Sequence, residues 1–172
     1  MPRSKVLSVV GLVVLLTAVA FASYRRRSAP LPATELLTYQ ARASELPRLE
    51  RETYAAIRAG LRAVETVRAS TKLWPAAFEA GGLTWSKREQ GLYINYLGIP
   101  DAPSKLRWLV LFIEPAESAL KDPPASEDDE HHTLDDGTAL HVTVWSAAHD
   151  GPIPPDALTF PAAEGWVQRL AP

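Results

Sequence analysis

The sequence predicts an α+β fold: an N-terminal transmembrane helix, a long helical stem packed on a four-stranded antiparallel sheet, and a short C-terminal helix. Three observations predict it. Residues 6–23, VLSVVGLVVLLTAVAFAS, contain no ionisable side chain. Tyr54, Ile57, Leu61, Val64 and Val67 recur at steps of three and four, which makes one apolar helix face. Beyond Leu83 the period shortens toward two, and strands that follow helices as hairpins indicate an α+β arrangement.

The first element is the apolar run. Eighteen residues at about 1.5 Å each give about 27 Å of helix, close to a hydrocarbon core of about 30 Å. Residues 1–5 form a basic head, 6–24 the span, and Tyr24 suits the interfacial belt. Residues 25–33, with Arg25, Arg26 and Arg27 and then a proline-containing break, form a linker. A cleavable signal peptide is the rival reading, since Ala18-Val19-Ala20 and Ala20-Phe21-Ala22 offer small residues. The run exceeds a usual signal core of about 7–15 residues, which favours an uncleaved anchor. Flanking charges nearly balance, Arg3 and Lys5 against Arg25, Arg26, Arg27 and Arg42. A short basic head before a first span favours an inner-membrane, single-pass protein with its C-terminal domain in the periplasm.

Residues 34–172 read as one soluble domain. The stem, 34–72, starts with Thr34 as a candidate N-cap, and Pro47 kinks or restarts it. Arg51, Arg58 and Arg62 recur on its outer side, a pattern usual for a solvated face. WPAAFEA (74–80) predicts a short helix stopped by Gly81-Gly82. LTWSKREQ (83–90) and GLYINYLG (91–98) predict a hairpin. LRWLVLFIEP (106–115) is apolar on both faces, as a central strand should be. TALHVTVWSA (138–147) is the fourth strand, and PAAEGWVQRL (161–170) closes the chain as a short helix or turn. An acidic loop, 122–137, lies before the fourth strand.

The net charge of −2 conceals an asymmetry: +7 over residues 1–72, +1 over 73–113, and −10 over 114–172. A basic stem and an acidic second half argue against nucleic-acid binding. The absence of cysteine excludes disulfides, thiolate metal sites and a cysteine nucleophile. The chain has no GxSxG, phosphate loop or GxGxxG. No cofactor is required by these patterns. One concentrated ligand set stands out, ASEDDEHHTLDDGTALH (125–141). Imidazoles and carboxylates together suit zinc or a similar divalent ion, with His131, His132, His141, Glu130 and Asp129 as candidates. The competing view is a solvated acidic loop turning at Asp136-Gly137. Neighbouring histidines converge on one ion only from a loop, because a strand points them apart. Trp74, Trp85, Trp108, Trp145 and Trp166 read as core.

The order of a hydrophobic helix running into a sheet-packed one is similar to pilins, but the chain lacks a short leader, a processing site and an acidic residue inside the apolar segment. The span, the helical stem, LTW…GLYINYLG, VTVW and GWVQRL together resemble a family of small single-span bacterial envelope proteins whose domain has no assigned function. That resemblance implies a setting near metal-uptake genes and supplies no catalytic motif. The expectation is therefore a non-enzymatic, membrane-anchored accessory protein. It would contact lipid through 6–24 and bind another envelope protein, such as a transport component. A divalent-metal module using the acidic-His loop and a minor pilin-like subunit are the alternatives.

Overall fold

A computed structural model of the chain describes residues 36–101, 106–114, 130–148 and 156–171. All of these belong to one compact unit, Leu36–Pro172. The elements in chain order are strand β1 (Gln40–Arg42), a 3-10 turn (Ala43–Glu45), helix α1 (Arg48–Thr71), β2 (Thr84–Gln90), β3 (Tyr93–Ile99), β4 (Arg107–Ile113), β5 (His131–Thr133), β6 (Ala139–Ala147), a second 3-10 turn (Pro161–Glu164) and β7 (Val167–Leu170).

The strands form a single mixed sheet of seven, in the order β1-β7-β6-β4-β3-β2, with β5 also pairing β6. Every pairing is antiparallel except that of β1 with β7, which is parallel. β6 is long enough to share one edge between two short strands. Its residues 139–141 pair β5, and Trp145 and Ser146 pair β7.

Helix α1 starts where Pro47 allows. Leu46 before it is extended (ψ 150°), as a residue preceding proline must be, and Pro47 occupies the N-cap. The helix ends on Lys72, in the left-handed region (φ 62°), whose N–H bonds the Arg68 carbonyl. Its apolar stripe, Tyr54, Ile57, Leu61 and Val64, is buried against Trp108, Val110, Phe112, Leu140, Val142 and Val144 of the sheet. The opposite sheet face carries a thinner layer. Leu97, Leu109, Leu111, Trp145 and Ala147 are covered by Trp166, Leu158, Ala162 and Tyr39. Buried Asn95 holds that cover in place. Its Nδ2 donates to the Leu158 carbonyl (3.2 Å), and its Oδ1 accepts from the Leu158 N–H (2.6 Å).

The fold expected from sequence needs correction. The sheet has seven strands, mixed, where four antiparallel strands were expected. The stem is shorter than 34–72, because residues 40–42 leave it to pair β7. WPAAFEA is irregular. Side chains from the hairpin take its carbonyls: Tyr96 Oη bonds Pro75 (2.6 Å), Lys87 Nζ bonds Trp74 (3.1 Å) and Trp85 Nε1 bonds Ala80 (2.9 Å). Burial, then Glu89, pushes the Tyr96 phenol above its usual pKa range. The expected C-terminal helix is one 3-10 turn ended by Gly165 (φ 77°), and VQRL continues as β7. The transmembrane, single-pass assignment is likewise not part of this fold. No helix among the described residues is long and apolar enough to cross a membrane, and α1, the one α-helix there, is amphipathic. Residues 6–24, on which that expectation rested, lie outside the described residues, as does Thr34.

Candidate functional site

The candidate metal ligands fall on β5 and β6, where strand geometry decides their directions. His132 pairs Leu140 and points to the helix side of the sheet. There its Nδ1 meets Glu65 Oε1 of α1 at 2.5 Å. His131 pairs His141, and both side chains point to the other face. Their rings stack at 4.9 Å between centroids and 10° between planes. His141 Nε2 lies 3.2 Å from Glu130 Oε2. The structure therefore divides the set in two, with His132 on one face and His131, His141 and Glu130 at the other. Asp129 lies outside the described residues. No group of three or more His, Asp or Glu among the described residues is arranged to hold a metal ion.

Glu130 has a further role that sequence spacing did not suggest. Its Oε1 accepts from Gln168 Nε2 (2.8 Å), and its carbonyl accepts from the Val142 N–H (2.7 Å). Gln168 Oε1 accepts from Gln40 Nε2 (3.1 Å), and Gln40 Oε1 from the Leu37 N–H (3.0 Å). A polar seam thus joins β6, the start of β5, β7 and β1, at the place where the edge of β6 passes from one short strand to the other. Gln168 is buried, so its side-chain amide depends on these protein partners.

The concave surface lies on the flank of α1. Arg51, Ala55, Arg58 and Arg62 follow one another at steps of four, three and four, so they share that flank. Hollows open along it, two of them large. The first, about 360 Å³, has Ala43, Ser44, Tyr54, Ala55 and Ala171 in its lining, with Arg51 and Arg58. The second, about 530 Å³, is polar and runs from Arg58 and Arg62 past Glu65 to His131, His132, Thr133 and Asp135. Both hollows are lined by Arg58, so an apolar hollow and a charged one meet at that side chain, and the two are together called the groove.

Local bonds shape this groove. Arg51 Nη1 donates to the Leu46 carbonyl (3.0 Å), and Tyr54 Oη to the Arg169 carbonyl (3.3 Å). Glu65 is taken by His132. Arg58 is engaged with a partner of its own. Arg62 is exposed and has no ion pair to any described residue. Beyond the groove, Lys72 bonds Asp136, whose Oδ1 also accepts from the Thr138 N–H (2.9 Å). The Lys72 bond, then the Thr138 amide, holds the Asp136 carboxyl well below the usual carboxylate range.

The arginine array was visible in the sequence as a recurring step on α1. What sequence did not show is that the sheet edge turns part of that face into the wall of a groove. Four of the five tryptophans are buried, Trp108 completely, as core. Searches for a matching family model, a matching curated protein and a matching solved structure each found none.

Proposed function

We propose that residues 36–171 form a non-catalytic domain that binds a partner protein through the groove on the flank of α1. The observation that carries this reading is the groove itself: two open hollows that meet at Arg58, apolar at Tyr54 and Ala55 and charged from Arg58 onward. Its chemistry favours binding over turnover. His132 and His141 are each turned toward a carboxylate, Glu65 and Glu130, an arrangement that ties strands and helix together. Catalysis by acid–base or nucleophilic groups needs a reacting atom placed against a base.

A site-specific photocrosslinker tests the reading. One variant carries it in place of Ala55, which is exposed within the groove, and another in place of Ser86, exposed on β2. Discrete adducts from position 55 alone are expected. Equal adducts from both positions, or none from position 55, would sink the proposal.

A further inference from the structure

We infer that the groove on α1 takes an extended, acidic segment of the partner protein, with one apolar side chain seated at the end near Tyr54. This rests on the partner-binding reading above and deepens it.

Charge complementarity is the first argument. Arg51 lines the apolar hollow, Arg62 the charged one, and Arg58 both, so guanidinium groups recur along the groove. Arginine presents a planar fork that matches a carboxylate in two parallel hydrogen bonds. Arg62 is exposed and has no ion pair to any described residue, so among the described residues nothing competes with such a ligand for its fork. Arg51 is positioned by its bond to the Leu46 carbonyl, which fixes the side chain across the apolar end.

Length and polarity are the second. From Arg51 to Arg62 the helix rises about 17 Å, at about 1.5 Å per residue. An extended chain at about 3.3 Å per residue covers that distance in about five residues. The lining also limits register. Toward Arg51 the walls are Ala43, Tyr54 and Ala171, which favour an apolar side chain. Toward Asp135 the walls turn acidic, and Glu65 is already committed to His132. A carboxylate placed there meets like charge, so the acidic run of the ligand ends near Arg62. The ligand is thus an apolar residue followed by about five residues of an acidic run, with a carboxylate placed at Arg62.

The test uses the full chain and a fluorescein-labelled synthetic peptide with one leucine followed by five residues, three of them aspartate. A second peptide replaces each aspartate with asparagine. The aspartate peptide should bind at least about tenfold more tightly by fluorescence anisotropy. Arg62→Glu should weaken it about tenfold, and Arg62→Gln by less, because reversal adds repulsion to the lost pair. Raising salt from about 50 to about 500 mM should also weaken it. Arg62 is exposed, so unchanged thermal melting of both variants is expected to accompany the loss. Equal affinity for the two peptides, or binding indifferent to Arg62→Glu, overturns the acidic ligand. If position 55 still crosslinks a partner in that case, the groove reading survives and only this inference falls. If crosslinking fails as well, both fall. Salt-sensitive self-association relieved by Arg62→Glu would make the occupant a second copy of this chain, and would also overturn it.

Discussion

Replacing Asn95 with alanine should loosen the cover on the second sheet face without touching the helix side. Asn95 is 1% exposed, and its amide makes two reciprocal bonds with the Leu158 backbone, at 2.6 and 3.2 Å. Each bond contributes about 0.5–1.5 kcal/mol net, and a buried group left without a partner costs about 1–3 kcal/mol. Leu158 is half-buried, so water recovers part of its bonding once the segment shifts. A loss of about 2–4 kcal/mol follows. At about 2–4 °C per kcal/mol for a chain of this size, the melting midpoint should fall by about 5–15 °C. Circular dichroism melts measure it. Hydrogen exchange adds the location: faster exchange should concentrate at 157–166 and leave α1 protected. A loss below about 0.5 kcal/mol, or exchange raised equally over α1, would refute the reasoning, because the amide would then not be what holds the cover.

Three further outcomes are expected. Gly98→Ala places a Cβ 2.8 Å from Trp85 Cη2 and 2.9 Å from Leu83 Cδ1, and Trp85 is held by the Ala80 carbonyl and by Phe78 at 4.5 Å. Overpacking should cost about 1–3 kcal/mol in urea unfolding, and Trp85→Phe in the same chain should recover part of it; a neutral Gly98→Ala contradicts the packing. Arg68→Ala breaks a fork to Glu114 and removes the guanidinium lying 5.7 Å from the Trp74 ring centroid. Both partners are largely buried, so a loss of about 2 kcal/mol is expected by denaturant titration, and one below about 0.5 would show the pair to be incidental. Asp136→Asn tests pH dependence. The carboxyl is depressed in the folded state, so its stabilisation is present above the unfolded value of about 3.9 and is lost as pH falls toward the folded one. The melting-temperature gap between the parent and Asp136→Asn should therefore be full near neutrality and close below about pH 4. A gap that is constant across that window would show that Lys72 and Asp136 do not interact.

Long elements were legible in the sequence, and short ones were not. The four expected strands appear as β2, β3, β4 and β6 with boundaries close to those read from alternation. Tyr54, Ile57, Leu61 and Val64 are buried as the step pattern required, while Val67 at the end of the stripe is 38% exposed. β1, β5 and β7 were missed. Each has three or four residues, too few for a period, and each exists only because β6 or β7 offers an edge. VQRL carries helix-compatible residues and becomes a strand through tertiary pairing, which overrides propensity. WPAAFEA has too few residues to sustain a helix once side chains of β2 and β3 capture its carbonyls. For the candidate ligands, the rule that adjacent strand residues point apart describes how His131 and His132 are placed. That they lie on a strand could not be seen, because the acidic run around them reads as loop. The groove was legible only as arginine spacing, since its opposite wall comes from residues far along the chain.

The parallel pairing of β1 with β7 has a mechanical consequence. A pull applied at residues 36 and 171 enters β1 at its first residue and β7 at its last. Because the two strands run the same way, these points lie at opposite ends of the pair. The load is then borne in shear: the ladder bonds and the hydrogen bond from Gln40 Nε2 to Gln168 Oε1 are strained together, where an antiparallel pair would open one bond at a time like a zip. Under tension applied at these two points, this small seam lies directly in the path of the load.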